Sequence, residues 1–439
     1  MRKIASLILC SLVISTILTA QKKKITLKDI WGGAFRTERL EVLRSMKNGK
    51  QYTVLNFEST PRSSSLDKYD FTTLKKVETI IASSEAIPFF SSYEFSDDES
   101  KIILATEVEP IFRRSNLGIY YVYDLTSKTL QKISDNKIQE PELSPDGSKV
   151  AFGFENNLHV LDLTSGMTKQ ITNDGAYGSI INGITDWVYE EEFAFVQAFE
   201  WNSDGTKIAF IRFDETQVPQ FSMDVYGADL YPFQYEFKYP KAGEKNAEVT
   251  LHIYDVASNQ VSNVDLGEAY YIPRIKWMND SSALSVQTIN RHQNHLILHK
   301  INAKDMSVKT LLEETDEAYV DIHDNLTFLA NDSFIWTSEK DGFNHLYLYD
   351  KNGKLKNQIT RGSWEVTNYY GYDATNDRIY YQSVENGSIN RDVYSISTSG
   401  KKKKRLSKRE GTNSADFSSD YTYYINTRRF KLQVQDSSY

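Results

Sequence analysis

The sequence is nearly free of cysteine: its 439 residues include one, Cys10. That residue lies inside the apolar stretch from Ile4 to Ala20 and follows Leu9, where a lipoprotein signal would carry a small side chain. Neither lipid attachment at Cys10 nor a disulfide framework is therefore expected. The fold must be stabilised by its own core, and a chain of this length can bury a large fraction of its surface.

Acidic residues outnumber basic ones, with 59 Asp and Glu against 51 Lys and Arg. The formal net charge is −8, and removal of Arg2 and Lys3 with a cleaved leader would take it to −10. Because such a surface repels a phosphate backbone, nucleic acid is not expected as a partner. The basic run at residues 401–405 falls between two strand-like segments, where it predicts a solvated hairpin loop.

Residues 1–20 have the layout of a secretory signal peptide, with two basic residues, an apolar stretch ending at Ala20 and a polar segment at Gln21–Lys24. We expect cleavage before Gln21 and export to the periplasm or the medium. The alternative is an uncleaved anchor, because roughly 17 mostly apolar residues reach the short limit for a membrane span. Residues 21–36 form a lead-in segment.

One pattern recurs along the rest of the chain: a large apolar residue, a polar turn with Asp or Asn, and then a strand of alternating apolar residues. Three copies align residue by residue, at Phe95–Ile102, Leu143–Val150 and Trp201–Ile208. Weaker copies centre on Asn48, Asp280, Asp332, Asp377 and Asp420. Most copies are about 43 to 58 residues apart, a period typical of β-propellers. The sequence predicts an all-β fold, an eight-bladed propeller of four-stranded antiparallel blades over residues 37–427.

The interval between the copies at Asp204 and Asp280 is wider than the others. Its extra residues lie at Val218–Ala247, where prolines and aromatic residues favour an extended arm or an additional hairpin. We therefore predict an insertion that leaves the propeller at this point.

Three consecutive glutamates, Glu190 to Glu192, follow Asp186 in a segment that predicts a short helix within this strand-rich chain. Asp186 can cap the helix, and the helix dipole favours negative charge in its first turns. Neighbouring glutamates on a helix converge only on a group that lies between them, and an ammonium group suits that place. The alternative is a solvated acidic helix face.

Three motifs occur in order: Asn182–Glu192, Tyr239–Gly243 and Thr360–Val366. Together they resemble the N-terminal propeller region of the dipeptidyl peptidase IV family, which are prolyl oligopeptidase-type serine exopeptidases. The resemblance covers nearly the whole chain after the leader. It implies that Glu191 and Glu192 bind the free amino terminus of a peptide, and that Glu190 is not part of this pair. It also implies that Arg113 reaches a backbone carbonyl of the substrate, although the register leaves Arg114 as an alternative.

The reaction that the resemblance implies is removal of Xaa-Pro or Xaa-Ala dipeptides from peptide amino termini by a hydrolase domain that follows the propeller. The sequence contains no Gly-x-Ser-x-Gly segment, so no catalytic residue is assigned and the chain is not itself assigned as an enzyme. We expect a shortened or frame-disrupted product, in which residues 428–439 no longer resemble the family and the hydrolase domain is absent.

No cofactor or metal is expected, since His292, His295 and His299 fall in an apparent strand pair without clustered acids or thiols. The expected partners are a peptide with a free amino terminus, the hydrolase domain of the full-length family and, through the arm, a second copy of the chain. The alternative function is a propeller that binds peptides or proteins without catalysis.

Overall fold

The computed structural model describes residues 24–36 and 42–429, in two compact units that meet in sequence at Val42 and Leu43. The predicted signal peptide and residues 430–439 of the predicted tail lie outside the described residues. In the first unit, helix α1 (Leu27–Trp31) begins with a capping box, in which Thr26 and Asp29 each accept a hydrogen bond from the other's backbone N–H. Within the described ranges, no helix combines the length and the apolar character needed to cross a membrane.

In its described residues, the second unit consists of eight antiparallel sheets, here called blades 1 to 8 in chain order, and one extra hairpin. Blade 1 comprises β1 (Leu43–Ser45), β2 (Gln51–Ser59), β3 (Arg62–Asp70) and β4 (Lys76–Ala82). Blade 2 comprises β5 (Ser92–Phe95), β6 (Lys101–Pro110), β7 (Asn116–Asp124) and β8 (Leu130–Lys132). Blade 3 comprises β9 (Gln139–Leu143), β10 (Lys149–Phe154), β11 (Asn157–Asp162) and β12 (Thr168–Gln170).

Blade 4 differs from the others because a helix and a hairpin interrupt it. Its strands are β13 (Ile180–Asn182), β14 (Phe199–Trp201), β15 (Lys207–Asp214), β18 (Glu248–Asp255) and β19 (Gln260–Val264). Helix α2 (Trp187–Glu192) separates β13 from β14, and both strands pair with β15. The hairpin of β16 (Gln220–Val225) and β17 (Phe233–Lys238) lies within the insertion predicted at residues 218–247 and is called the arm below.

The remaining blades follow the simple pattern until the last. Blade 5 comprises β20 (Tyr271–Trp277), β21 (Ala283–Ile289), β22 (His295–Asn302) and β23 (Val308–Thr315). Blade 6 comprises β24 (Thr327–Phe328), β25 (Phe334–Ser338), β26 (His345–Tyr349) and β27 (Leu355–Gln358). Blade 7 comprises β28 (Val366–Asp373), β29 (Arg378–Ser383), β30 (Asp392–Ile396) and β31 (Lys404–Arg405). Blade 8 has two strands in the described part of the chain, β32 (Thr412–Phe417) and β33 (Tyr424–Arg429).

Each repeat recognised in the sequence is the turn between the first two strands of a blade, or in blade 4 between β14 and β15. In blade 2, the Asp98 carboxylate accepts hydrogen bonds from the Ser100 N–H at 3.0 Å and from the Ser96 hydroxyl at 2.7 Å. These bonds, led by the one from the Ser100 backbone, lower the pKa of Asp98 to about 2. Asp146 makes the equivalent bonds with Ser144 and Ser148 in blade 3. The repeats therefore encode a local turn that fixes the strand register.

The blades form a ring that closes without a covalent link. Blade 8 contacts blade 1, where the Ser419 hydroxyl donates to the Met46 carbonyl at 2.7 Å and the ring of Tyr423 stacks on Phe71 at 5.8 Å between centroids. Middle strands such as β25, β26 and β30 bury every residue, because neighbouring blades cover both faces of each sheet. The predicted eight-bladed propeller is confirmed, with five strands in blade 4 and two in the described part of blade 8.

Glutamates on β5, β9 and β14, in blades 2, 3 and 4, lie close enough for their charges to interact. The half-buried Glu140 carboxyl has its pKa raised to about 7, mainly by burial and then by the charges of Glu94 and Glu190. Burial also raises the pKa of Glu200 to about 7. The pKa of Glu142 is raised as well, by burial and then by the charge of Glu200, although Gln197 donates a hydrogen bond to its carboxylate at 2.9 Å. This cluster holds like charges that oppose folding when ionised.

Replacing Glu140 with glutamine should stabilise the protein in a pH-dependent way. Glutamine keeps the shape and removes the charge, so the gain is fully present above about pH 7 and disappears as the pH falls towards the unfolded value of 4.5, where the folded chain already holds the proton. We expect the midpoint of thermal unfolding at about pH 8 to rise by roughly 2–4 °C. The exposed Glu85→Gln serves as the control, and an equal gain at both ends of the pH range would contradict this explanation.

Candidate functional site

Helix α2 begins where the sequence predicts it. The Asp186 side chain accepts a hydrogen bond from the Tyr189 N–H at 2.9 Å, which satisfies one of the free donors in the first turn. Asp186 is buried, and burial raises its pKa to about 6 against the opposing effect of that hydrogen bond. Gly183, whose φ of +75° favours glycine, turns the chain from β13 towards the helix.

Tyr189 anchors the helix in the core of blade 4. Its ring is buried and meets Phe193, Phe213 and Tyr271 edge to face, with centroids 5.0, 4.8 and 6.1 Å away. Its hydroxyl accepts a hydrogen bond from the Ile272 N–H of blade 5 at 2.9 Å. Because both ends of this side chain are held, the rotation of the helix is fixed. The three glutamates that follow are thereby fixed in direction.

Glu190 points into the protein and is 1% exposed. Its carboxylate accepts hydrogen bonds from the backbone N–H groups of Arg114 at 2.5 Å and Ser115 at 2.9 Å. The Arg114 guanidinium adds a bond from Nε to the Glu190 carbonyl oxygen at 3.1 Å. The first of the three glutamates thus attaches helix α2 to the turn between β6 and β7 of blade 2.

Glu191 pairs with Arg113 from that same turn. The Arg113 Nε lies 2.8 Å from one carboxylate oxygen and 3.1 Å from the other. The exposed fraction is 17% for the Glu191 side chain and 71% for Arg113. Two of the three residues that the family resemblance selected, Arg113 and Glu191, are therefore in contact, and the Arg114 side chain is bonded to the backbone of Glu190. Their role with a substrate remains a prediction.

Glu192, at the end of the helix, is exposed and accepts no hydrogen bond from any residue in the described ranges. Its neighbour across the site is Tyr319, whose pKa is raised by burial and then by the charges of Asp321 and Glu192. The Tyr319 hydroxyl donates to Gln293 at 3.0 Å, so it does not bind Glu192. Glu192 keeps its full capacity to accept hydrogen bonds from a ligand.

Two histidines of blade 5 have separate partners. His295 lies 2.6 Å from a carboxylate oxygen of Glu313, and His299 lies 2.9 Å from the Thr288 hydroxyl. Burial lowers the pKa of His299. Across the part of the chain that is described, no group of three or more His, Cys, Asp or Glu side chains has an arrangement that could hold a metal ion.

Two features of the site lie beyond what the sequence indicated. The bond between Glu190 and the 114–115 backbone joins residues 75 and 76 positions apart, and no local motif signals it. The burial of Glu215 close to Asp186 is likewise not signalled by any spacing in the sequence. The sequence around these glutamates does not mark them, since Glu190 is followed by two more glutamates and Glu215 follows Asp214.

Comparison with known proteins places these residues in a family context. Residues 96–430 match the model of the dipeptidyl peptidase IV (DPP IV) N-terminal region. A probable dipeptidyl-aminopeptidase B of Phaeosphaeria nodorum is 29% identical over 437 residues, which cover 89% of this chain and 48% of the relative. Another from Arthroderma gypseum is 30% identical over 348 residues, covering 70% and 37%. The chain thus spans about half the length or less of these curated relatives.

The fold has an equally clear counterpart among solved structures. The crystal structure of Porphyromonas gingivalis dipeptidyl peptidase 4 superposes with a TM-score of 0.86 at 39% sequence identity. The match covers 92% of this chain and 58% of that one.

Replacing Glu190 with alanine should destabilise the protein, because two buried N–H groups lose their acceptor. We expect the free energy of unfolding to fall by about 3 kcal/mol. The matched control is Glu192→Ala on the same helix, which should change it by less than about 0.5 kcal/mol because its side chain is exposed. Urea unfolding measures both, and equal effects would show that the buried bonds at Glu190 contribute nothing special.

Proposed function

Because the chain belongs to the dipeptidyl peptidase IV family, through that family's N-terminal region, we propose that it binds the free amino terminus of peptides for dipeptide removal. The observation that carries the proposal is the arrangement at the end of helix α2, where Glu191 and Glu192 follow each other and Arg113 is bonded to Glu191. These are the substrate-binding residues we assign. Glu190 has a structural role.

An ammonium group matches the hydrogen-bond acceptors and the negative charge that remain available at this site. Glu192 has no partner in the described chain, and Glu191 has one cation for two carboxylate oxygens. A peptide amino terminus brings three N–H donors and a positive charge, so it can bond both carboxylates and reduce their mutual repulsion. An acetylated amino terminus lacks the charge and would leave that repulsion in place.

Arg113 is positioned to act on the next group of the peptide. Only its Nε is bonded to Glu191, and its terminal guanidinium nitrogens make no hydrogen bond with any described residue. A guanidinium donates several hydrogen bonds in a fixed plane, so these nitrogens can bind a backbone carbonyl beside the ammonium. The ion pair with Glu191 would hold both groups at a constant spacing.

The reaction itself would require the hydrolase domain of the full-length family. With the ammonium held by Glu191 and Glu192, the distance to the nucleophile of that domain would admit two residues and favour release of Xaa-Pro or Xaa-Ala dipeptides. The propeller would then limit access to the reaction site. The signal-peptide layout of residues 1–20 supports export as part of the same proposal.

Calorimetric titration tests the binding step without the reaction. A short peptide with a free amino terminus should bind, and its acetylated form should bind about tenfold more weakly or worse. Glu191→Gln and Glu192→Gln should each reduce the affinity by about ten- to a hundredfold, because each removes a charge-assisted bond. Glu85→Gln, on an exposed residue outside the site, should leave the affinity unchanged. Equal binding of free and acetylated peptides would refute the assignment.

The arm offers a surface for a second copy of the chain. Its tip exposes Leu230, Tyr231 and Phe233, with 88%, 80% and 59% of their surface accessible. A contiguous apolar surface of this kind is typical of a protein contact. We include a homodimer formed through the arm in the proposed function.

Replacing Tyr231 with glutamate should then shift the protein from dimer to monomer in sedimentation velocity, because a charge would be buried in an apolar contact. Ile389→Glu is the matched control, since Ile389 is 84% exposed on blade 7, away from the arm. A wild-type protein that remains monomeric at high concentration would exclude the arm contact.

A further inference from the structure

A cavity of about 370 Å³ lies beside helix α2, on the side that faces the arm. Its walls come from the β6–β7 turn of blade 2, the β10–β11 turn of blade 3, the segment that leads into the helix, and β17 of the arm. Aromatic rings form much of the lining, namely Phe112, Phe154, Tyr177, Trp187, Tyr235 and Phe237. The side chains of Arg113, Glu191 and Glu192 are not part of this lining.

Glu215 forms part of this wall. The residue is 6% exposed and follows directly after β15. Its backbone is bonded at both ends, to Ser179 and Val218, but no residue in the described ranges donates a hydrogen bond to its side chain. A buried carboxylate left without donors is costly, and such groups are normally paired.

The charges around the cavity do not balance Glu215. Asp186 is also buried in the wall, and its negative charge acts on Glu215. Of the two lysines in the lining, Lys137 is paired with Glu109 at 2.5 Å, and the ammonium of Lys238 donates to the Val218 carbonyl at 2.9 Å. Glu190, the other acid near the helix, is already satisfied by two backbone N–H groups. The cavity therefore has unpaired negative charge inside an aromatic lining.

We propose that this cavity binds an organic cation, an ammonium or guanidinium group on an aromatic or apolar stem, with the cation on Glu215 and the stem among the rings. A cation brings the donors that Glu215 lacks, and aromatic faces attract positive charge. The volume lies within the range of small-ligand sites. The same chemistry occurs in free aromatic amines and in the lysine or arginine side chains of peptides.

The burial of Glu215 gives the cation an additional advantage. Burial, followed by the charge of Asp186, raises the pKa of Glu215 to about 7. Lys238 acts in the opposite direction, and Asp214 adds to the increase. At a pH above that value the carboxylate is ionised and unpaired, so a bound cation relieves a charge that the empty cavity must tolerate.

Calorimetric titration at about pH 8 distinguishes this site from its alternatives. The probes are tyramine as a free amine, its neutral counterpart 4-ethylphenol, and N-acetyl-lysine methylamide as a peptide side chain without a free amino terminus. Tyramine or the lysine probe should bind, and 4-ethylphenol should bind about tenfold more weakly. Glu215→Gln should lower the affinity for the cationic probe by about tenfold or more. The cationic probe that binds more tightly shows whether the natural ligand is a free amine or a peptide side chain.

Two controls distinguish a loss of binding at the cavity from misfolding of the variant and from binding at the peptide site. Glu236→Gln makes the same change on an exposed residue of β17, and it should leave tyramine binding unchanged. Thermal melting should show Glu215→Gln at least as stable as the wild type, because it removes a buried unpaired charge. Tyramine affinity that is retained in Glu215→Gln and lost in Glu191→Gln would overturn this inference while supporting the proposed function. No binding of either cation up to about 10 mM would also overturn it.

Discussion

The two hydrogen bonds from the backbone of Arg114 and Ser115 to the Glu190 carboxylate are the contact on which the geometry of the site depends. They join a helix that interrupts blade 4 to a turn of blade 2, across the edge of blade 3. With this turn fixed, Arg113 pairs with the next carboxylate along the helix, Glu191. A charge-assisted bond to a backbone N–H is stronger than a neutral one, and here it is shielded from water. The spacing between the arginine and the acidic pair is therefore set by the core rather than by surface side chains.

Tyr189 gives the helix its second attachment, through its hydroxyl bond to Ile272 of blade 5. Together with Glu190, it holds a helix of six residues between three blades. A helix this short is unstable in isolation, because nucleation costs more than one turn of hydrogen bonds returns. Tertiary contacts therefore determine both its existence and its direction. The ring of blades supplies those contacts, since each sheet buries both faces against its neighbours.

The parts of this fold that the sequence predicts are those encoded by close neighbours. The turn at Asp98 uses donors two residues away on either side, so its pattern is visible in the chain, and the same bonds recur at Asp146 and Asp420. The cap at Asp186 is equally local. The partner of Glu190 could not be predicted, because it depends on how blades 2 and 4 face each other across 75 residues. Periodicity also left open which of Arg113 and Arg114 pairs with the carboxylate of Glu191, since side chains in a turn do not follow a fixed alternation.

Three consecutive carboxylates can share one helix here because the protein places each in a different environment. Backbone N–H groups satisfy Glu190 in the interior, the guanidinium of Arg113 pairs with Glu191 at the boundary, and solvent surrounds Glu192. From Glu190 to Glu192, the hydrogen-bond donors change from fixed backbone N–H groups to a partly exposed side chain and then to solvent. The charge that remains to be compensated therefore increases towards the end of the helix, where a ligand can reach it. On the arm side the order is reversed, since Glu215 is buried and accepts no hydrogen bond from any residue in the described ranges. In the two proposals, helix α2 therefore lies between an open region of negative charge assigned to a peptide amino terminus and an enclosed region assigned to a small organic cation.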